Sequence, residues 1–451
     1  MLEFAKRAVV VGLGKSGIAA VRLLKAHGVE VIATDTAPLD RLSPEVRELD
    51  VPIFAGGHAG VPFGDVDVIV VSPGVPALAE ITAAERAGVS AIGEIELACR
   101  FVRAPMIAVG GTNGKSTVTT LTALMLECSG FRTFSGGNLG TPLSDAVSAD
   151  WERLVVEVSS FQLERVLRFK PSVSILLNIT EDHLDRYPSF LAYAEAKGNA
   201  FIAQDAHDVA VVPFGDRACE EQARRGQGRL VRFGEGGDYV VEGRQVNETA
   251  TGLVFSLESS RLHGAHNLSN AAASSAAARA HGATVDGVRR AIEEFQPLGH
   301  RMAFVAALNG VRYYDDSKGT NVGAAVTALL GLSEQRGVLI AGGRDKQGSY
   351  EPLVDALRKK GRALVVIGEA ADAIAAAANG VLPVERATTM QAAVQAARQW
   401  AKPGDAVLLS PACASFDMFK GYAERGDHFA RAVRELTPAD DFGDAKGTPS
   451  C

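Results

Sequence analysis

Gly111-Thr112-Asn113-Gly114-Lys115-Ser116-Thr117 follows an apolar run, Met106–Val109, and precedes a helical pattern that reaches about Cys128. A strand that turns through such a loop into a helix aims successive backbone N–H groups at one point, where the helix start also favours negative charge. That arrangement cradles a polyphosphate. Lys115 supplies a point charge for the β/γ end, and Ser116 an oxygen for Mg²⁺. The general phosphate loop would want glycine at 109, where this chain has Val109, so the spacing is a one-residue variant. A chance loop is the bland alternative, and the flanking strand and helix weigh against it.

A second loop, Gly12-Leu13-Gly14-Lys15-Ser16-Gly17, follows the strand-like run Ala8–Val11 and opens a helix to about Ala26, with Asp35 at the end of the next strand. This is a dinucleotide fingerprint: glycines admit a diphosphate and the acid accepts a sugar or base hydrogen bond. It does not separate NAD from another nucleoside diphosphate, and a tight strand–helix turn without a ligand is the plain alternative. Ser72-Pro73-Gly74 ends a later strand and is placed to line the same crevice. A third unit runs from Val338–Ala341 through Gly342-Gly343-Arg344-Asp345-Lys346-Gln347-Gly348 to a helix near Tyr350–Lys360.

These loops need rigid elements to hold them. Further strand-like runs at Val29–Ala33, Val66–Val71, Leu154–Val158, Val173–Leu177, Leu364–Ile367 and Ala406–Ser410 alternate with helical patterns, which implies parallel sheets with crossover helices. Residues 224–259 differ: glycine-rich, with short alternating runs, they read as a small antiparallel patch. The expectation is an α/β protein of three domains. A Rossmann-like N-terminal domain spans 1–93. A central P-loop-type ATPase domain, with a parallel sheet plus the antiparallel patch, spans 94–297. A Rossmann-like C-terminal domain spans 298–438, and 439–451 is a polar, disordered tail.

The 451 residues carry 47% hydrophobic and 22% charged side chains and a net charge of −7 without a single block of either sign. Nucleic acid and an anionic membrane are therefore not expected as partners. Five cysteines stand at wide spacings with no C-x-x-C, which fits reduced thiols rather than a disulfide or zinc framework. The apolar run at Ala8–Val11 is too short for a leader or a membrane span, and Ala370–Ala378 reads as a surface helix. A cytoplasmic, monomeric enzyme is expected.

The variant Gly-Thr-Asn-Gly-Lys-Ser resembles the ATP loop of the Mur ligase family and of its folate-polyglutamating relatives. Further segments follow in that family's order: Glu157-Val158-Ser159-Ser160-Phe161-Gln162-Leu163, Asn178 through Arg186, His266-Asn267 with Asn270, His300-Arg301, and Asp316-Ser317-Lys318-Gly319-Thr320-Asn321. Within the family, the Gly12–Gly17 loop, Ser72-Pro73-Gly74, Asn138 in Gly-Gly-Asn-Leu-Gly, and the run from Leu408 to Phe419 look most like the D-glutamate-adding member. No Asp-Asn-Pro-Arg segment of the diaminopimelate- or lysine-adding member occurs.

The resemblance implies that ATP activates the carboxylate of UDP-N-acetylmuramoyl-L-alanine as an acyl phosphate, which the amine of D-glutamate then attacks. Phosphoryl transfer of this kind needs metal ions and fixed cations around the phosphates. Gly111–Thr117 would hold ATP, with Asn267, Asn270, Arg301 and Asp316 on adenine, ribose or phosphate, so that ATP lies between the central and C-terminal domains. Ser116 and Glu157 suit Mg²⁺. The resemblance adds His183 at a second Mg²⁺ or Mn²⁺ site and Lys197 as a CO₂-derived carbamate, where residue type alone favours an ordinary exposed helix lysine. It also turns the first loop towards the uridine diphosphate: Gly14, Lys15, Ser16 and Asn138 on the diphosphate, Asp35 and Thr36 on uracil, and Ser72 and Gly74 lining the crevice. Glutamate would lie with Lys346 and Thr320 on one carboxylate, Ser415 and the Tyr422 backbone on the other, and Lys318 close by. Lys115, His183 and Lys197 form the expected catalytic set. Other readings are a folylpolyglutamate-type ligase, an NAD-dependent dehydrogenase, and a nucleotide-binding regulatory module without turnover.

Overall fold

The central strands of each sheet are near-continuous apolar runs, buried on both faces. In the computed structural model, which describes residues 5–262, 264–346 and 348–436, Val10 packs into one core cluster and its neighbours Val9 and Val11 into another. The expected tail, 439–451, lies outside the described residues.

The chain packs as two compact units. One comprises the residues up to Ile179 with Leu191–Ser260 and Leu268–Phe295; the other comprises Thr180–Phe190, Arg261–Asn267 and the chain from Gln296 onward.

The first unit holds two sheets. A parallel sheet has the order Ile53–Ala55, Glu30–Asp35, Arg7–Val11, Val68–Val71, Ser90–Gly93. Its first loop opens the helix Lys15–Ala26. Gly17 is obligatory there, since a Cβ on it would stand 1.8 Å from the Gly12 carbonyl oxygen. A second sheet has nine strands. Its centre sets Met106–Gly110 between Arg153–Glu157 and Val173–Leu176, all parallel. The register pairs Val109 with Glu157 and Gly137 with Glu157. The phosphate loop, Glu157 and Asn138 therefore emerge together at the carboxyl ends of the strands, where such sheets bind ligands.

Two buried carboxylates tie these sheets together. Glu94 accepts the Ser144 N–H at 2.6 Å. Glu96, two residues on, accepts the N–H groups of Leu167, Arg168 and Phe169 through one oxygen.

The segment expected as an antiparallel patch is divided. Tyr239–Glu242, Gln245–Glu248 and Leu253–Ser256 do form an antiparallel meander. Arg229–Phe233 instead runs parallel to Val209–Pro213 as a member of the main sheet. Its alternating pattern reflects an outer strand buried mainly on one face, and alternation alone carries no strand direction.

The second unit holds a six-stranded sheet in the order Ala303–Leu308, Val311–Asp315, Ala406–Leu409, Gly337–Gly342, Gly361–Ile367, Val384–Arg386. The first pair is antiparallel and the rest parallel. Val338 and Ile340 face one core cluster, Leu339 and Ala341 the other. Ala371–Ala377 is the expected surface helix, anchored by buried Ile374. Among the described residues no helix is long and apolar enough to cross a membrane.

Candidate functional site

The phosphate loop of the first unit is held from beneath. Gly114 ends it at φ +87°, and a Cβ there would meet the Asn270 side-chain oxygen at 2.6 Å, so only glycine lets the loop and that buried amide coexist. Asn178 braces the loop three times: its carbonyl accepts the Thr112 N–H, its side-chain oxygen accepts the Asn113 N–H, and its amide donates to the Asn113 carbonyl. Asn178 opens the family-like segment that runs to Arg186. Its signal is an amide side chain just past the strand beside the loop. Lys115 folds back over the loop, its Nζ donating to the carbonyls of Gly111 at 3.0 Å and Thr112 at 2.8 Å. Thr112, Ser116 and Thr117 are buried.

Lys197 is not an exposed helix lysine. It is 3% exposed. The helix Phe190–Gly198 puts Tyr193 and Lys197 one turn apart on one face. Lys197 Nζ lies 4.4 Å from the Tyr193 ring centroid and donates to the Gly111 carbonyl at 2.8 Å. The Tyr193 hydroxyl is 3.1 Å from Thr112 Oγ1. Helix and loop are thus one packed assembly.

Glu157 is 3% exposed, and its Oε1 accepts the Asn138 amide N–H at 2.6 Å. Its Oε2 is buried with no hydrogen-bond partner among the described residues. A buried carboxylate oxygen without a donor can take a cation, and with the Ser116 hydroxyl this oxygen chemistry suits Mg²⁺. Among the described residues no three His, Cys, Asp or Glu side chains gather as a metal centre.

Gly14, Lys15, Ser16, Asp35, Thr36, Ser72, Gly74 and Asn138 all line one cleft of about 460 Å³ in the first unit. Asp35 organises its floor: its two oxygens accept the N–H groups of Leu13 at 2.7 Å and Ala37 at 2.8 Å. Ser72 Oγ donates to the Gly12 carbonyl. His58 and Gln162 also line the cleft. His58, a histidine between glycines, carries no ligand signal in sequence, whereas Gln162 belongs to the family-like segment Glu157–Leu163, where it also closes a capping box with Ser159.

In the second unit the loops 316–320, 342–346 and 410–415 meet at the carboxyl edge of the sheet. Asp316 is buried, accepts from Ser410 Oγ at 2.6 Å and from the Met302 N–H, and burial pushes its carboxyl up to about 7 against the opposing Arg301 charge. His300, at φ +59°, places Nδ1 2.6 Å from Asp315. Lys318 Nζ lies 3.9 Å from the centroid of the Tyr422 ring. Thr320 follows in the same turn, and its N–H bonds the Lys318 carbonyl. Ser415 is 3% exposed. The Tyr422 carbonyl accepts from Ser317 Oγ, while its N–H opens the helix Tyr422–Arg434.

Lys346 is no ordinary loop lysine, since its Nζ lies 2.9 Å from Asp182 Oδ1. Asp182 Oδ2 accepts from the Asn321 amide. Burial would raise the Asp182 carboxyl, but the Lys346 and His183 charges outweigh it and hold it below its usual value. His183 follows at φ +57°.

Arg425 is a residue that sequence reasoning missed. It is 1% exposed and donates to Ser317 Oγ, the Ser317 carbonyl, the Cys413 carbonyl and, at 3.5 Å, the Gly342 carbonyl, fastening all three loops to one helix. Burial pulls its guanidinium down to about 10. An arginine among the charged residues of an amphipathic helix looks solvated in sequence, and only the tertiary packing turns it inward. Asn267 lies in the first turn of the helix Ala265–Ala280, one turn before Asn270.

Residues 6–93 match the family described as Mur ligase MurD-like, N-terminal domain; 109–278 match the Mur ligase middle domain; 300–413 match the Mur ligase glutamate ligase domain. The chain is 44% identical to the UDP-N-acetylmuramoylalanine–D-glutamate ligase of Desulfosudis oleivorans, covering 96% of this chain and 97% of that one. It is 42% identical to the enzyme of the same name from Geotalea daltonii, covering 96% and 98%. Among solved structures, a MurF ligase from Thermotoga maritima in complex with ADP shares the fold at a TM-score of 0.60 and 18% identity, covering 96% of this chain and 97% of that one. With matched domains along nearly its whole length, the chain belongs to the Mur ligase family.

Proposed function

We propose that this chain joins D-glutamate to UDP-N-acetylmuramoyl-L-alanine at the expense of ATP, in cytoplasmic synthesis of peptidoglycan precursor. The carrying observation is that the cleft and the phosphate loop open from one unit, where Asn138, which lines the cleft, bonds Glu157, which pairs in the sheet with Val109 just before the loop. The D-glutamate specificity is supported by relatives of that name at 42–44% identity. The MurD-like domain matched at 6–93 favours it over a folylpolyglutamate-type ligase, and the phosphate loop favours it over a dehydrogenase.

In this reading the domains are 1–93 for the UDP-substrate, 94–297 for ATP and 298–438 for glutamate. The uridine diphosphate occupies the cleft, with Gly14, Lys15, Ser16 and Asn138 on the diphosphate and Asp35 and Thr36 on the base. Gly111–Thr117 hold the ATP phosphates, assisted by Asn267, Asn270, Arg301 and Asp316. Lys115 steadies the γ-phosphoryl group as it passes to the substrate carboxylate, giving an acyl phosphate. Ser116 and Glu157 would hold Mg²⁺, with His183 and a carbamylated Lys197 serving a second ion. Such ions neutralise charge on the transferring phosphoryl group. Lys346 and Thr320 take one carboxylate of glutamate, and Ser415 and the Tyr422 N–H the other, with Lys318 near. The amine attacks the acyl phosphate, and phosphate leaves. The enzyme works as a monomer.

The test is phosphate release from ATP with UDP-N-acetylmuramoyl-L-alanine and, separately, D-glutamate, L-glutamate, L-alanine and diaminopimelate. Release is expected with D-glutamate alone. Release with another amino acid but not D-glutamate overturns the specificity, and no release with any overturns the ligase reading.

A further inference from the structure

Asn138 grips Glu157 at two points. Its backbone N–H bonds the Glu157 carbonyl at 2.8 Å, and its side-chain Nδ2 donates to Glu157 Oε1 at 2.6 Å. The amide must present nitrogen to the carboxylate, because its oxygen would repel it. Strand pairing puts the two residues there: Gly137 lies opposite Glu157, and the next residue turns in beside it. Gly137 permits the approach, as a Cβ on it would stand 2.4 Å from the Glu157 carbonyl oxygen.

The same asparagine lines the substrate cleft. Its amide nitrogen has two protons, of which one is spent on Glu157 and the other is available to an acceptor. The other oxygen of the carboxylate, Oε2, is buried without a donor among the described residues. Asn138 thus connects the cleft to the carboxylate whose second oxygen lacks a donor among the described residues.

We propose that Asn138 is a positioning residue that couples an anionic substrate in the cleft to cation binding at Glu157. This rests on the reading of Glu157 as a cation ligand. Clamping Oε1 aims Oε2 at one point and keeps the carboxylate from turning. An anion accepting the second N–H polarises and stiffens the amide, which strengthens the grip on Oε1. Thermodynamic linkage then requires the reciprocal effect: the cation tightens the substrate by the same factor.

The test is a Mn²⁺ titration followed by electron paramagnetic resonance on the protein with ADP, with and without UDP-N-acetylmuramoyl-L-alanine. The unaltered protein is expected to bind Mn²⁺ about 5-fold or more tightly when the UDP-substrate is present. Asn138→Ala is expected to weaken Mn²⁺ binding by about 10-fold, the scale for losing a group that orients a metal ligand, and to abolish the coupling. Asn138→Ser serves the same purpose should the alanine variant not fold. Unchanged Mn²⁺ affinity in a folded Asn138 variant that has lost UDP-substrate affinity overturns the inference, as does a coupling factor of one in the unaltered protein. Glu157→Gln separates the two levels. If it leaves Mn²⁺ affinity intact, the cation reading itself fails. If it weakens Mn²⁺ while Asn138→Ala does not, only the coupling fails.

Discussion

Lys197 and Lys115 converge on one acceptor, their ammonium groups reaching the Gly111 carbonyl at 2.8 and 3.0 Å. Two cations on one carbonyl repel each other, the more so in a buried site. A carbamate on Lys197 would relieve the repulsion and provide an oxygen anion beside the phosphate loop. Lys197→Ala is therefore expected to lose nearly all turnover and to regain part of it with added acetate. Labelling with ¹³C-bicarbonate should give a carbamate signal that the variant lacks. Full activity of Lys197→Ala, or a signal that persists in it, would discard this role.

Lys115→Ala should keep the fold, because the helix it opens is anchored by buried Val118, Leu121 and Leu126. Turnover should fall by about 10² to 10³, the scale for losing one fixed electrostatic stabiliser. Phosphate release decides the matter, and a folded variant with near-normal rates contradicts the assignment.

Lys346→Ala should raise the KM for D-glutamate by about tenfold to a hundredfold, the equivalent of one charged hydrogen bond, and leave the KM for the UDP-substrate unchanged. The change also strands the buried Asp182 carboxylate that Lys346 pairs. Asp182→Asn in the same chain should recover stability without recovering the glutamate KM. Steady-state kinetics alongside thermal unfolding separates the effects, and equal rises in both KM values would remove Lys346 from the glutamate site.

The Glu94 carboxyl is pushed from 4.5 up to about 7 by burial, with the Ser144 hydrogen bonds opposing. Between those values the folded state keeps a proton that the unfolded state has released. Stability therefore falls as pH rises through that window, and the loss persists above it. Glu94→Gln has no proton to lose and can still accept the Ser144 N–H. Its unfolding free energy from urea titration should drop less than the unaltered protein's between pH 5 and pH 7.5, by roughly 1–3 kcal/mol. Parallel pH profiles would show that Glu94 does not titrate in this window.

The sequence by itself determined the local units and the kind of chemistry. Strand–glycine–helix transitions at 12–17, 111–117 and 342–348 are written in adjacent residues, since a parallel strand buried on both faces must be apolar throughout and the turn after it must admit positive φ. Spacing within those loops marks a candidate phosphate site, and the order of motifs marks the family. Tertiary structure decided everything that depends on which strands become neighbours. It placed Asn138 against Glu157, Asn178 under the phosphate loop, Asp182 on Lys346, and Glu94 and Glu96 across two sheets. It moved Arg229–Phe233 into the parallel sheet and turned Arg425 and Lys197 inward. In sequence a lysine or arginine on a helix looks solvated whatever its fate, because burial of a charge depends on carbonyls and carboxylates supplied by segments distant along the chain.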